Sequence, residues 1–181
     1  MRAVVRCGVV SMLLLTGGTL LAQAPKPSPE IGKFAVWVGT WTYQGEAKAT
    51  PFSPAAKISG TQTGRMTVDG FAFEWKGEEK GAFGPIQWAE TDVYDAATKS
   101  YPYLGYQTDG TTWSGSNAIV GNAWRATGSQ TVKGTAYKVR GDATPSADGK
   151  SWTLKQEISA DGKTWMPWTE IKLTKSARPQ S

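Results

Sequence analysis

Three carboxylates in the middle of the chain have a spacing that acid–base chemistry could use. Glu90 and Asp92 stand two residues apart in the segment IQWAETDVY, so both project from the same face of a predicted strand, and Glu74 lies on the strand before it. Two carboxyl groups that flank a sugar bond can hydrolyse it. The alternative, which we favour, places Thr91 and Val93 inside the protein and leaves Glu90 and Asp92 in solvent.

Other catalytic chemistry is limited by composition. The chain has no histidine, and its only cysteine, Cys7, lies in the N-terminal export segment described below. A Ser-His-Asp triad, a Cys-His nucleophile and a histidine or thiolate zinc site are therefore excluded. No glycine-rich loop of P-loop or Rossmann form precedes a predicted helix. The sequence predicts no catalytic residue, no cofactor and no metal site.

Aromatic residues are the outstanding feature of the composition, with nine tryptophans. We predict that one group of them fills the core, namely Trp41, Phe73, Trp75 and Trp152. A second group falls near the middles or ends of predicted strands, where side chains can line an apolar pocket with a few polar groups. The predicted ligand-binding residues are Tyr43, Trp88, Tyr103, Tyr106, Trp113 and Arg125.

The elements that must position these residues are strands. Turn signals recur every 8–13 residues, and the segments between them alternate apolar and polar residues, which is typical of antiparallel sheets. The predicted strands are residues 39–48, 56–68, 71–80, 85–94, 101–107, 112–120, 122–131, 135–142, 151–159 and 165–174. We interpret Glu78–Lys80 as a solvated turn. The pattern predicts an all-β, single antiparallel up-and-down barrel of about ten strands, with a two-sheet sandwich as the alternative.

A five-residue pattern, D-G-x-[ST]-W, occurs at Asp109–Trp113, Asp148–Trp152 and Asp161–Trp165. Asp-Gly suits the positive φ of a tight turn, and the hydroxyl residue can bond the turn backbone. The copies resemble the Asp boxes of sialidase-type propellers but are one residue short, and two of them lie only 13 residues apart. We therefore interpret them as hairpin turns and not as sugar or calcium sites.

The chain divides into four segments. Residues 1–24 have a basic start, an apolar run and a small-x-small ending at Ala22–Ala24, which predicts a cleaved signal peptide and a periplasmic or extracellular location. An uncleaved anchor is the alternative. Residues 25–30 form a proline-rich linker, 31–175 the barrel domain and 176–181 a disordered tail.

Without Arg2 and Arg6 the formal charge of +5 becomes +3, which is too small to indicate nucleic acid as a partner. The mature chain contains no predicted transmembrane segment.

The segment Phe34–Glu46 carries a family resemblance. Gly39-Thr40-Trp41 resembles the G-x-W signature that opens the first strand of lipocalins and other calycin barrels. With a glycine-marked second strand and the DGKTW hairpin of Asp161–Trp165, the chain is similar to bacterial exported lipocalin-like proteins of unknown function. The resemblance implies a calycin barrel with a short N-terminal helix capping one end. It also implies an arginine stacked on the first-strand tryptophan, a part for which Arg125 is a candidate. The alternatives are that Arg125 reaches a ligand's carboxylate or that it projects outward into solvent.

Nitrobindin-like barrels are similar too, but they hold haem through a histidine, and this chain has none. We expect a non-catalytic barrel that binds a small hydrophobic or aromatic molecule. One alternative is a carbohydrate-binding module with exposed Trp88, Trp165 and Trp168. Another is a carboxylate-dependent enzyme acting on sugars or lipids, and a third is a barrel packed solid with side chains.

Overall fold

The described part of the chain consists of one antiparallel sheet and two short 3₁₀ segments. The computed structural model describes residues 25–82 and 84–176. The predicted signal peptide and residues 177–181 of the predicted tail lie outside the described residues. A 3₁₀ helix, Ile31–Trp37, precedes the sheet, and a 3₁₀ turn occupies Val68–Gly70. The strands are β1 Gly39–Ala47, β2 Ala56–Thr67, β3 Ala72–Gly81, β4 Gly84–Val93, β5 Tyr101–Gln107, β6 Thr112–Val120, β7 Ala123–Val132, β8 Thr135–Pro145, β9 Ser151–Ser159 and β10 Met166–Lys175.

Each strand pairs with its neighbours in the chain, and the sheet closes where β1 pairs with β10. The closing register places Trp41 opposite Lys175 and Tyr43 opposite Leu173. Closure leaves no open sheet edge and excludes the two-sheet sandwich. The predicted ten-strand up-and-down barrel with a short N-terminal helix is confirmed. Within the described residues, no helix has the length and hydropathy that crossing a membrane requires.

The two ends of the barrel differ in how they are covered. At the closed end, where β1 begins, the 3₁₀ helix lies across the opening and buries Ile31, Phe34 and Trp37. The ring centroids of Phe34 and Trp124 are 4.5 Å apart, and those of Trp37 and Trp152 are 4.1 Å apart. These aromatic contacts fill the closed end, because each ring buries a large apolar area. At the open end, where β1 finishes, residues 48–55 form the connecting loop.

The predicted core group is confirmed, since Trp41, Phe73, Trp75 and Trp152 are all buried. Trp41 has no exposed surface. The cation near its ring is Lys175, whose Nζ lies 5.4 Å from the ring centroid. The expected stacking of Arg125 on this tryptophan is wrong. Arg125 follows the inward-facing Trp124, so it projects outward, where it pairs with Asp142 at 2.8 Å.

The Asp-Gly turns have the predicted hairpin chemistry. Gly110, Gly149 and Gly162 all have positive φ. In each copy the aspartate accepts a hydrogen bond from the backbone N–H two residues later, at 2.9 Å for Asp109, 3.1 Å for Asp148 and 2.7 Å for Asp161. The repeated motif therefore shapes strand connections.

Candidate functional site

A cavity of about 340 Å³ occupies the barrel between the closed-end aromatic cluster and the open end. Its wall contains residues from all ten strands and from the loop 48–55. The interior is therefore only partly filled by side chains, which excludes the solid-packed alternative. Ligand pockets have volumes from roughly 300 Å³ upward and combine apolar walls with a few polar groups. This cavity has that size and that composition.

Two tryptophans form flat walls because glycines lie beneath them. A Cβ built on Gly77 would lie 2.4 Å from Cε2 of Trp88, and one on Gly105 would lie 2.1 Å from Cε2 of Trp113. Such distances are shorter than van der Waals contact, so each indole rests directly on the backbone of a neighbouring strand. The two rings meet edge to face with centroids 6.4 Å apart. The glycines thus provide the space in which the aromatic walls stand.

A chain of polar groups runs along one side of the cavity towards the open end. The indole nitrogen of Trp88 donates to the hydroxyl of Tyr43 at 3.3 Å, and that hydroxyl donates to Glu79 Oε2 at 3.2 Å. Burial raises the pKa of Glu79, while the hydrogen bond from Tyr43 acts in the opposite direction. Burial and the nearby Glu79 raise the pKa of Tyr43. The interpretation of Glu78–Lys80 as a solvated turn is wrong, because these residues belong to β3 and Glu79 faces inward.

Glu90 and Asp92 also point into the barrel, contrary to the favoured prediction. Thr91 and Val93 are exposed on the outer face, whereas Asp92 is completely buried and Glu90 lines the cavity. The reason lies on β6, two strands away in the barrel order: the indole nitrogen of Trp113 donates to Glu90. Inward-facing polar groups are tolerated when such partners are present.

Asp92 lies below Glu90, towards the closed end, and is only half satisfied. Its Oδ1 accepts a 2.9 Å hydrogen bond from Nδ2 of Asn117, while its Oδ2 is buried without a hydrogen-bond partner. Burial raises the pKa of Asp92, the charge of Glu90 raises it further, and Asn117 and Trp75 act weakly the other way. Burial also raises the pKa of Glu90 to about 7, against the opposing effect of Trp113. A buried carboxyl oxygen without a hydrogen-bond partner lowers the stability of the fold, so this pair lacks a hydrogen-bond donor or a counter-charge.

Comparison with known proteins identifies the fold but no family. No protein-family model matches the sequence, and no curated protein matches it. Among solved structures, the chain is similar to Rv2717c from M. tuberculosis, with a TM-score of 0.59 and 12% identity over 83% of this chain and 99% of that one. Rv2717c is a lipocalin-like barrel, and this chain has the same type of fold. The S-type phycobiliprotein lyase CPES from Guillardia theta gives a TM-score of 0.49 and 10% identity over 81% of this chain and 92% of that one.

The lipocalin-like barrel brings four of the six predicted ligand-binding residues together. Tyr43, Trp88, Tyr103 and Trp113 line the cavity. Tyr106 and Arg125 do not: Tyr106 is 60% exposed on the outside of β5, and Arg125 lies outside β7. Residues 103 and 106 are an odd number of positions apart, so a regular strand points them to opposite faces. That parity was readable from the sequence.

The sites required by the two alternative functions are not assembled. Trp88 lies inside the barrel, Trp168 lines the cavity near its mouth, and Trp165 lies under Arg140, whose guanidinium carbon is 4.2 Å from the ring centroid. These three tryptophans form no flat exposed row. Glu74 is on the outer face, paired with Arg65 and Lys76, and does not face Glu90. Among residues 25–82 and 84–176, no group of three or more acidic or sulfur ligands is arranged to hold a metal ion.

Several cavity residues were missed by the sequence reasoning. Gln107 and Asn117 share an inward face with predicted residues of the same strands, so strand parity would have found them. Phe52 lies in the open-end loop and packs against Tyr137, with ring centroids 4.8 Å apart, and against Trp168 at 6.4 Å. No periodic signal marks a loop residue that folds over a barrel mouth.

Proposed function

We propose that this protein is an exported, non-catalytic barrel that binds one small aromatic molecule inside its cavity. The observation that carries the proposal is the pair of tryptophan walls, Trp88 and Trp113, held flat over Gly77 and Gly105 around an unfilled space. Stacking against such walls favours flat rings over flexible chains. The volume of about 340 Å³ is near the lower end for ligand pockets, which favours a molecule of one or two rings.

Binding fits the polar groups better than hydrolysis does. Glycoside hydrolysis needs two carboxyl groups on opposite sides of the scissile bond. Glu90 and Asp92 project from the same strand, two residues apart, and therefore stand on one side of the barrel interior, where only Glu90 lines the cavity. Each already accepts a hydrogen bond from a side chain of β6. Groups fixed in this way orient a ligand, which is the usual part of the few polar residues in an apolar pocket.

The test begins with the protein as its own cell makes it. Protein purified from the cell envelope is examined by native mass spectrometry, and a panel of aromatic metabolites, fatty acids and oligosaccharides is titrated against tryptophan fluorescence. We expect an adduct or a saturable response to aromatic molecules. Trp88→Leu should weaken that binding, while the matched outside variant Tyr106→Ala should leave it unchanged. A clean apo mass with no response to the panel would overturn the proposal.

Export and the finer family assignment belong to the same proposal. The basic start, the apolar run and the Ala22–Ala24 ending support removal of residues 1–24, and the VGTW opening with the DGKTW hairpin supports a bacterial exported lipocalin-like family. N-terminal sequencing of protein from cell fractions tests the export. We expect a mature N-terminus between residues 23 and 25 in the periplasmic or extracellular fraction. An intact Met1 in the cytoplasmic fraction would contradict it.

A further inference from the structure

The interior of the barrel contains acidic groups but no basic ones among its described lining residues. Glu79 and Glu90 line the cavity, and Asp92, two residues beyond Glu90 on β4, is completely buried behind the lining. The lining includes no lysine and no arginine. The basic side chains of the strands are instead used on the outer face, in pairs such as Arg140 with Glu157 at 2.6 Å. The cavity therefore has an acidic character that none of its described lining residues neutralises.

The groups around these carboxyls are hydrogen-bond donors, which stabilise the ionised form. The indole nitrogen of Trp113 donates to Glu90, the amide of Asn117 to Asp92, and the hydroxyl of Tyr43 to Glu79. Donors of this kind favour a carboxylate over a neutral carboxyl group. They do not supply the opposite charge that a buried carboxylate requires. Asp92 Oδ2 is buried without a hydrogen-bond partner, and the neighbouring Trp75 indole lowers the pKa of Asp92 without supplying a charge, so this carboxyl has no counter-charge from the described part of the protein.

From these contacts we infer that the cavity ligand is a small organic cation, a flat ring bearing a protonated or quaternary nitrogen. The inference rests on the proposed function and names the class of molecule that the same cavity takes. The nitrogen would lie towards Glu90, beside the buried Asp92, and the ring against the cavity-facing surfaces of Trp88 and Trp113. A positive charge beside the carboxylates provides the missing partner.

The aromatic walls favour the same class of ligand. The face of an indole or phenol ring attracts cations, and tryptophan does so most strongly. Trp88, Trp113, Tyr43 and Tyr103 line the same cavity as Glu90. Cages of aromatic faces with nearby carboxylates are a recurrent means of recognising alkylated ammonium groups. A neutral ring would gain the stacking but leave the carboxyls without a counter-charge.

Proton linkage follows from the groups that face Glu90. Those groups are Asp92 on the same strand, Trp113 and Asn117 on β6 and Tyr103 on β5, with Glu79 on β3 four residues nearer the open end by register. None of them is basic. Burial raises the pKa of Glu90 to about 7, so the free protein holds a proton there at mildly acidic pH. A cation that binds must displace this proton, and its affinity should therefore rise with pH.

The experiment compares two probes of the same shape and different charge. These are (4-hydroxyphenyl)trimethylammonium and 4-tert-butylphenol, titrated into the mature protein by calorimetry and tryptophan fluorescence. The quaternary nitrogen cannot lose its charge, and a parallel titration with phenyltrimethylammonium, which has no hydroxyl group, separates the pH dependence of the protein from ionisation of the probe's phenol. At pH 8 we expect the cation to bind at least about tenfold more tightly than the phenol. Its affinity should fall between about pH 8 and pH 6 as Glu90 takes up its proton.

Two matched variants locate the effect. Glu90→Gln keeps the shape of the side chain and should reduce cation affinity several-fold while leaving the phenol unaffected. Glu74→Gln removes a carboxylate from the outer face of β3 and should change neither. Equal or tighter binding of the phenol, or an unchanged preference in Glu90→Gln, would overturn the inference and leave the proposed function intact. If neither probe binds and the whole aromatic panel is also silent, the proposed function itself fails.

Discussion

The indole nitrogen of Trp41 donates a 2.9 Å hydrogen bond to the backbone carbonyl of Trp37, the last residue of the 3₁₀ helix. The bond spans only four residues, and Gly39 between them has φ +117°, a conformation that glycine adopts readily and other residues do not. The G-x-W signature thus has a physical meaning in this chain. The glycine turns the backbone from the 3₁₀ helix into β1, and the tryptophan connects that helix to the closed end of the barrel.

Trp41→Ala should therefore lower the stability of the whole barrel. The side chain is completely buried, and truncating such a residue costs about 3–5 kcal/mol. Trp41→Phe keeps an aromatic ring but removes the N–H, so it should cost less, about 1–3 kcal/mol for a carbonyl left without its partner. Urea unfolding followed by circular dichroism measures both. If Trp41→Ala unfolds at the same urea concentration as the natural sequence, the closed-end assignment is wrong.

Stability should also fall as pH rises through the mildly acidic range. An unfolded glutamate loses its proton near pH 4.3, whereas burial raises the pKa of folded Glu90 to about 7. Between these values the folded state holds the extra proton, so raising the pH favours unfolding, by roughly 2–4 kcal/mol in total. The raised pKa of Asp92 acts in the same direction.

The measurement is the free energy of unfolding in urea at pH 5 and at pH 7.5. Glu90→Gln should be more stable than the natural sequence at pH 7.5, because it removes a buried ionising group, and its stability should depend less on pH. A natural protein equally stable at both values would contradict the burial of Glu90.

Gly105→Ala tests whether the position of the Trp113 indole depends on the absence of a side chain at residue 105. The new methyl group would stand 2.1 Å from Cε2 of Trp113, so the indole must move and lose its contact with Glu90. We expect a destabilisation of about 1–3 kcal/mol and a shift of the Trp113 indole N–H signal in NMR spectra. Gly32→Ala is the matched control, since a Cβ there meets nothing within 4 Å. Equal behaviour of the two variants would show that the wall is not held by this contact.

The fold could be predicted because its signals are local. Each strand alternates along its own length, and most turns contain an Asp-Gly or a glycine, the exceptions being residues 48–55 and 94–100. The strand boundaries can therefore be found without knowing which strands pair. The core aromatics Phe73 and Trp75 follow from the same alternation. Lys175, by contrast, contacts Trp41 only because β10 closes the barrel against β1, which no local pattern indicates.

The acidic interior could not be read from β4 alone. Its two faces are similarly mixed: Trp88, Glu90 and Asp92 alternate with Ala89, Thr91 and Val93, and the rule that apolar residues point inward selects the wrong face. The choice is decided by donors on β6, two strands away in the barrel order. Those donors reach the carboxyls only when the strands are in register. Such long-range pairing lies beyond a single-sequence pattern.

The Asp161 turn predicts the opposite pH dependence of folding stability at lower pH: stability should fall as the pH falls. Its carboxylate accepts hydrogen bonds from the backbone N–H groups of Thr164 and Lys163, both at 2.7 Å, and from the hydroxyl of Ser159 at 3.0 Å. These bonds lower the pKa of Asp161 to about 2. An unfolded aspartate has a pKa of about 3.9, so this contribution to stability is present above that pH and is lost as pH falls towards 2.

Asp161→Asn keeps the shape and one acceptor oxygen but removes the charge. Its unfolding temperature should lie below that of the natural sequence at pH 6, and the two should converge near pH 2, where Asp161 itself becomes neutral. Thermal unfolding followed by circular dichroism from pH 2 to pH 6 measures the difference. A gap that stays constant over this range would mean that the charge of Asp161 contributes nothing, and that the turn between β9 and β10 is held by Gly162 and its backbone conformation alone.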